Sequence, residues 1–142
     1  MKRILLLSLL TVAATAAPLF AQGNGQEKPK TIPEIASERA DQLMKYLKLE
    51  DYQVFQIDST LSHDLKAQQD EVKELQKAGI SNPDIYTAVM DRWNNTTDST
   101  FQHVFTPEQW KRYLKSIYGK GKRQRDKRIA AWKAKMEGTK AP

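Results

Sequence analysis

An all-helical fold is predicted for this chain of 142 residues, on two observations. Beyond residue 31 the apolar residues recur at steps of three and four and almost nowhere alternate, which is the period of helices buried along one face. Helix-start signals are also written out in full, at Thr31-Ile32-Pro33-Glu34 and at Phe105-Thr106-Pro107-Glu108-Gln109-Trp110. In each, a Thr stands three residues before a Glu or Gln, with a Pro in the first turn. The hydroxyl and the later side chain can then each satisfy a backbone N–H that the first turn leaves without a partner.

Met1-Lys2-Arg3 followed by the apolar run 4–20 and a small residue, Ala21, reads as a secretory signal peptide (1–21). A membrane span is not expected there, because polar sequence with no second apolar segment follows at once. Cleavage is placed after Ala21, since cutting after Ala17 would leave Pro18 directly beyond the scissile bond. Residues 22–31 are polar, with two Gly and one Pro, and read as a disordered leader. The chain has no cysteine, so neither a disulfide framework nor a lipid anchor on cysteine is available.

Four helical segments are expected to form an elongated antiparallel hairpin over residues 32–121. The first carries Ile32, Ile35, Ala36, Arg39 or Ala40, Leu43 and Leu47 on one stripe. The second, from about 51 to 78, carries Val54, Ile57, Leu61, Leu65, Gln68, Val72 and Leu75 and stops at Gly79. At 1.5 Å per residue it would reach about 40 Å, long for a bundle of this size, hence the elongated shape. Asn82-Pro83 opens the third, with Ile85, Val89, Trp93, Thr96, Thr100 and Val104. Its middle, 94–100, is all Asn, Thr, Asp and Ser, so packing alone can keep it helical. The fourth starts at Thr106, places Trp110, Tyr113, Leu114 and Ile117 in the core, and is interrupted by Gly119 and Gly121. Residues 122–142 follow as a basic amphipathic helix and tail with Ile129, Trp132 and Met136 on one side.

The start at Phe105 has a fainter copy 56 residues earlier, Leu49-Glu50-Asp51-Tyr52-Gln53-Val54. Both copies keep the Gln and a pair of apolar residues, Leu49 with Val54 and Phe105 with Trp110, spaced to clamp the entering chain against the first turn. The first has Glu50 in place of the capping hydroxyl. The pair resembles the twice-repeated Leu-Thr-x-x-Gln motif of helical periplasmic proteins of the Spy/CpxP type. Leu49, Gln53, Phe105, Thr106, Gln109 and Trp110 carry the likeness, with Phe105 standing for Leu and Glu50 for Thr. That resemblance implies a periplasmic hairpin that dimerises into a curved cradle. It would act as an ATP-independent chaperone or a modulator of envelope stress signalling, and some relatives bind or sense metal ions.

Charge is divided unevenly along the chain. Residues 111–142 hold 12 Lys and Arg against 2 acids, while 22–110 hold 9 against 15. A basic arm of this kind attracts something acidic or docks on the acidic part of a second copy. After export, nucleic acid is not a partner to expect. Unfolded or envelope proteins, the partner of a homodimer and an anionic membrane surface are. The candidate protein-binding residues are therefore Tyr118, Lys122, Arg123, Arg125, Lys127, Arg128, Ile129 and Trp132, where amphipathic side chains mix with positive charge.

Two further patterns bear on chemistry. His63 and His103 each end an Asp-Ser-Thr-apolar-x-His run, and together with nearby carboxylates they could hold a divalent transition metal, which would make the chain a metal-binding stress sensor. A membrane-surface adaptor working through residues 122–136 is the other alternative. No cofactor is otherwise expected. No nucleophile elbow, phosphate loop or HExxH pattern is present, so the expectation is a protein without catalytic activity.

Overall fold

A computed structural model describes residues 28–138. The predicted signal peptide, its cleavage point after Ala21, most of the leader and residues 139–142 lie outside the described residues. Five α-helices and no strand occur among the described residues: α1 Ile32–Leu47, α2 Asp51–Lys77, α3 Pro83–Val104, α4 Pro107–Lys115 and α5 Ile117–Gly138.

The ends of these helices follow the local signals. At α1 the Thr31 N–H donates to Glu34 Oε2 at 2.7 Å, and the Glu34 N–H points back to Thr31 Oγ1 at 3.5 Å. α2 ends where Gly79 takes a left-handed φ of 71°, which lets the Ile80 N–H reach back to the Leu75 carbonyl at 3.0 Å. Asn82 caps α3, its Oδ1 accepting from the Asp84 N–H at 2.9 Å, with Pro83 at the first helical position.

Contacts between helices give their directions. Going up α2, Gln53, Asp64 and Glu71 meet Val104, Thr97 and Arg92 going down α3, so the two run antiparallel. Tyr46 meets Arg112 and Gln42 meets Tyr118, which sets α1 antiparallel to α4 and the start of α5. α5 in turn descends α3, with Arg125 at Asp98 and Arg128 at Asp91. The core gathers Ala36, Ala40, Leu43 and Leu47 of α1, Ile57 and Leu61 of α2, Phe101 and Phe105 around the end of α3, and Tyr113 of α4. Aromatic rings close it: Phe101 lies edge-on to Tyr113 at 6.0 Å, and Tyr113 stacks flat on Tyr118 at 5.6 Å.

The polar middle of α3 is helical without a break. Thr97 and Asp98 are buried there, and Thr97 donates to Asp64 Oδ2 of α2 at 2.7 Å. The Thr96 and Thr100 hydroxyls bond back to the carbonyls four residues earlier, at 3.1 and 3.3 Å. Helix α3 is thus held by its neighbours, which offset its poor propensity.

The fourth segment departs from expectation. It breaks at Ser116, and α5 runs unbroken through Gly119 and Gly121, so the interruption expected at the glycines is absent. Ser116 Oγ donates to the Tyr113 carbonyl at 2.5 Å and accepts from the Tyr118 N–H at 3.2 Å, ending one helix and starting the next. That break resets the helical phase. Ile117, expected in the core, is 78% exposed, and Tyr118, expected at the surface, is half-buried against Tyr113. Gly119 is needed for a different reason: a Cβ there would stand 2.0 Å from the Leu114 carbonyl oxygen, because α5 crosses directly over the end of α4.

Candidate protein-binding groove

The two motif copies meet. Gln53, 1% exposed, donates from Nε2 to Gln109 Oε1 at 2.7 Å and to the Val104 carbonyl at 2.9 Å. Gln109 returns the pattern, donating from Nε2 to Gln53 Oε1 at 3.2 Å and to the Lys48 carbonyl at 3.4 Å. Each carbonyl stands five residues before the opposite glutamine, so the pairing has local two-fold character. Each Oε1 also accepts from the N–H of its own helix cap, Glu50 at 3.0 Å and Thr106 at 2.9 Å. Where Glu50 replaces the Thr, the Gln53 N–H bonds to the Glu50 carbonyl instead, at 2.9 Å. Phe105 and Trp110 face each other with ring centres 6.4 Å apart, as the apolar clamp requires. This junction ties α1–α2 to α3–α4. Gln53→Ala would leave an N–H and a carbonyl without partners inside it, and is expected to cost about 2–3 kcal/mol in chemical denaturation. A loss below about 0.5 kcal/mol would contradict the pairing.

Much of the basic arm is occupied within its own chain. Asp84, Asp91 and Asp98 recur every seven residues, two helical turns, and so lie along one side of α3. Arg125 pairs with Asp98, which is 2% exposed and also accepts from the Tyr113 hydroxyl at 2.6 Å. Arg128 grips Asp91 with two bonds of 2.7 Å. Asn95 stands between them, accepting from Arg125 Nε at 3.2 Å and donating to Asp126 at 3.0 Å. Burial, then the charge of Asp98 and its hydrogen bond, push the Tyr113 phenol well above its ordinary pKa, so it remains a donor. The one-residue link at Ser116 folds α5 back along α3, and the basic arm meets the acids of its own chain.

Beyond these ion pairs α3 and α5 leave a groove of about 1010 Å³. Ile85 and Ala88 of α3 and Ile129, Ala131 and Trp132 of α5 line its apolar part, and Arg128, Asp91 and Lys135 stand at its charged edges. On the far side Glu71 closes the edge, accepting from Trp93 Nε1 at 2.8 Å and from Arg92 Nη2 at 2.5 Å. Those bonds, the one from Trp93 foremost, hold the Glu71 carboxyl below its usual range.

Of the expected binding residues, Arg128, Ile129 and Trp132 line this groove. Lys127 is exposed on α5, Lys122 pairs with Asp126 at 2.8 Å, and Arg123 donates to the Leu114 carbonyl at 3.0 Å. Arg125 and Tyr118 face inward, Tyr118 lying beneath the Arg39 guanidinium, which is 5.2 Å from its ring centre. His63 and His103 are not brought together. His63 pairs with Asp64 at 2.9 Å, and His103 Nδ1 contacts the Ser99 carbonyl at 2.7 Å. Since Asp64 stands opposite Thr97, His103 lies six residues, about 9 Å, further along α3. Among the described residues no group of three or more His, Asp or Glu is placed to hold a metal ion. Nor, among them, is any helix long and apolar enough to cross a membrane.

The α3 side of the groove was missed by reading the sequence. Its one available signal was the seven-residue interval of Asp84, Asp91 and Asp98 beside the Arg125-x-x-Arg128 spacing. Comparison with known proteins finds no matching family model, no matching curated protein and no matching solved structure.

Proposed function

We propose that this chain is an exported, non-catalytic protein-binding factor of Spy/CpxP type. It works without ATP, as a chaperone or envelope-stress modulator that holds apolar segments of a client or signalling partner. The groove between α3 and α5 is the observation that carries this reading. It offers Ile85, Ala88, Ile129 and Trp132 as an apolar floor beside a helix that bears eight Lys and Arg against two acids. An open floor of this kind holds apolar side chains weakly, while the excess charge speeds encounter with acidic chains. The paired Gln53 and Gln109 support the family reading, because the two motif copies act as one junction. Tyr52 and Phe55, 62% and 74% exposed on α2, leave apolar surface that the second subunit of a homodimer would cover.

The test is suppression of aggregation of a urea-unfolded model client diluted into the purified chain. Suppression at a one-to-one ratio, lost in Trp132→Ala and weakened in Ile129→Ala, is expected. No suppression at that ratio, or suppression untouched by both changes, would overturn the proposal.

A further inference from the structure

Helix α5 is tied to the rest of the chain in two unlike ways. At its start Tyr118 stacks on Tyr113, Arg123 reaches the Leu114 carbonyl, and Gly119 is buried. From Lys120 on nothing in α5 is buried, and it is seated on α3 by Arg125 on Asp98, Arg128 on Asp91, and Asn95 between Arg125 and Asp126.

The corner between α4 and α5 is a single residue. Ser116 has a φ of −80°, which already suits a helix, and a ψ of 179°, which does not. Turning that one torsion would join α4 and α5 into a helix from Pro107 to Gly138, and its own ladder would take up the N–H and C=O groups at the corner. Two observations favour the joined form. The folded-back corner admits only glycine at 119, since an added Cβ would stand 2.0 Å from the Leu114 oxygen, whereas a continuous helix carries a Cβ clear of its own backbone. Ile117, 78% exposed, stands three, four and seven residues after Leu114, Tyr113 and Trp110, so in a continuous helix it extends their apolar stripe.

A joined helix carries α5 away from its own α3, and a bare α3 is unfavourable. The side chains of Asp98 and Asp91 are only 2% and 6% exposed, and both would lose their arginines. A surface that restores these bonds must present two arginines three residues apart on a helix, as Arg125 and Arg128 stand. A second copy of this chain carries that surface, and every contact between α5 and α3 can be made between copies as it is within one.

We propose that α5 is exchanged between two copies of this chain. In the exchanged dimer α4 and α5 of each copy run as one helix, and Arg125 and Arg128 of one copy pair with Asp98 and Asp91 of the other. The two Ile117 side chains lie where the joined helices leave their own domains. Each groove is then built from both copies, with Ile85 and Ala88 from one and Ile129 and Trp132 from the other. Exchange gives up the Tyr118 stack and the Arg123 bond at the corner, so the folded-back monomer prevails in dilute solution and the dimer grows with concentration. It needs neither a client nor the face bearing Tyr52 and Phe55, and so stands apart from the proposed function.

Size-exclusion chromatography with light scattering, on the purified chain refolded from urea at low and at high concentration, counts the copies. A cross-link then shows whose α5 lies on which α3. The chain has no cysteine, so Asn95→Cys with Asp126→Cys supplies the only reactive pair, at side chains that touch across α3 and α5. Separated monomer and dimer fractions are diluted, treated with a short bismaleimide and run on a denaturing gel. The expected result is a single internally linked chain from the monomer and a covalently joined pair from the dimer. Gly119→Ala and Ser116→Ala disfavour the folded-back corner and are expected to raise the association constant of the dimer about tenfold or more, while Ile117→Lys lowers it and leaves the helicity of the monomer unchanged. Ser116→Ala, which removes only a hydroxyl, carries the test where Gly119→Ala does not fold. Cross-links confined within single chains in the dimer fraction would mean that copies associate with each α5 at home, and overturn the proposal. So do Ser116→Ala chains that stay monomeric at every concentration, and a dimer lost in Phe55→Ser but unchanged in Ile117→Lys.

Discussion

Gly119→Ala is expected to lower stability by about 3 kcal/mol, the upper end of what overpacking a well-filled site ordinarily costs. The added methyl would lie 2.0 Å from the carbonyl oxygen of Leu114, 2.4 Å from its carbonyl carbon and 2.5 Å from its Cα. All three are backbone atoms at the end of α4, so relief requires moving α5 bodily off α4. The stack of Tyr118 on Tyr113 and the Arg123 bond to Leu114 would go with it. Gly121 is the internal control. A Cβ there meets only the tip of the Arg125 side chain, at 3.2 Å, and alanine is the better helix former by about 0.5–1 kcal/mol. Denaturant midpoints should therefore move in opposite directions for the two variants. A Gly119→Ala protein as stable as the wild type would mean that α5 does not cross α4 as described.

Asp98→Ala is expected to cost about 3–5 kcal/mol, the range for removing one partner of a buried ion pair. Asp98 is 2% exposed and serves two groups, the Tyr113 hydroxyl in the core and the Arg125 guanidinium on α5. Its loss leaves the phenol without an acceptor and a largely buried cation without its carboxylate, with only the Asn95 amide oxygen still accepting from Arg125 Nε. Tyr113→Phe removes one of the two bonds and should cost about 1 kcal/mol, since the carboxylate keeps its arginine. The two measurements together separate the role of Asp98 in packing the core from its role in docking α5. If Asp98→Ala costs no more than Tyr113→Phe, the Arg125 pair contributes nothing to holding the arm.

Helix starts were legible because their signals are local. Thr31, Asn82 and Thr106 announce their own caps, and Gly79 its own turn, with no need of the rest of the chain. The pairing of Gln53 with Gln109 was half legible: the repeat was visible, but its closure into one hydrogen-bonded junction depends on how α1 and α3 end. The break at Ser116 was hidden. Glycine is the residue that usually stops a helix, yet here Gly119 serves close packing between helices, a requirement set by the Leu114 backbone, which no local sequence signal marks. Once the break is misplaced by three residues, the buried face of everything after it is misread, which is why Ile117 and Tyr118 exchanged places. The basic arm was read as seeking an acidic partner or the acidic part of a second copy, because the acids at 84, 91 and 98 of its own chain face it only after the chain has folded back.

Assigning binding to the groove between α3 and α5 is the claim on which the function rests, and mapping chemical shifts in the purified chain as an unfolded client is added tests it most directly. The expected result is that the first and largest changes fall on Ile85, Ala88, Ile129 and the Trp132 indole, while Gln53 and Gln109 stay unmoved. Changes confined to Tyr52, Phe55 and Ile117, with the groove silent, would contradict it.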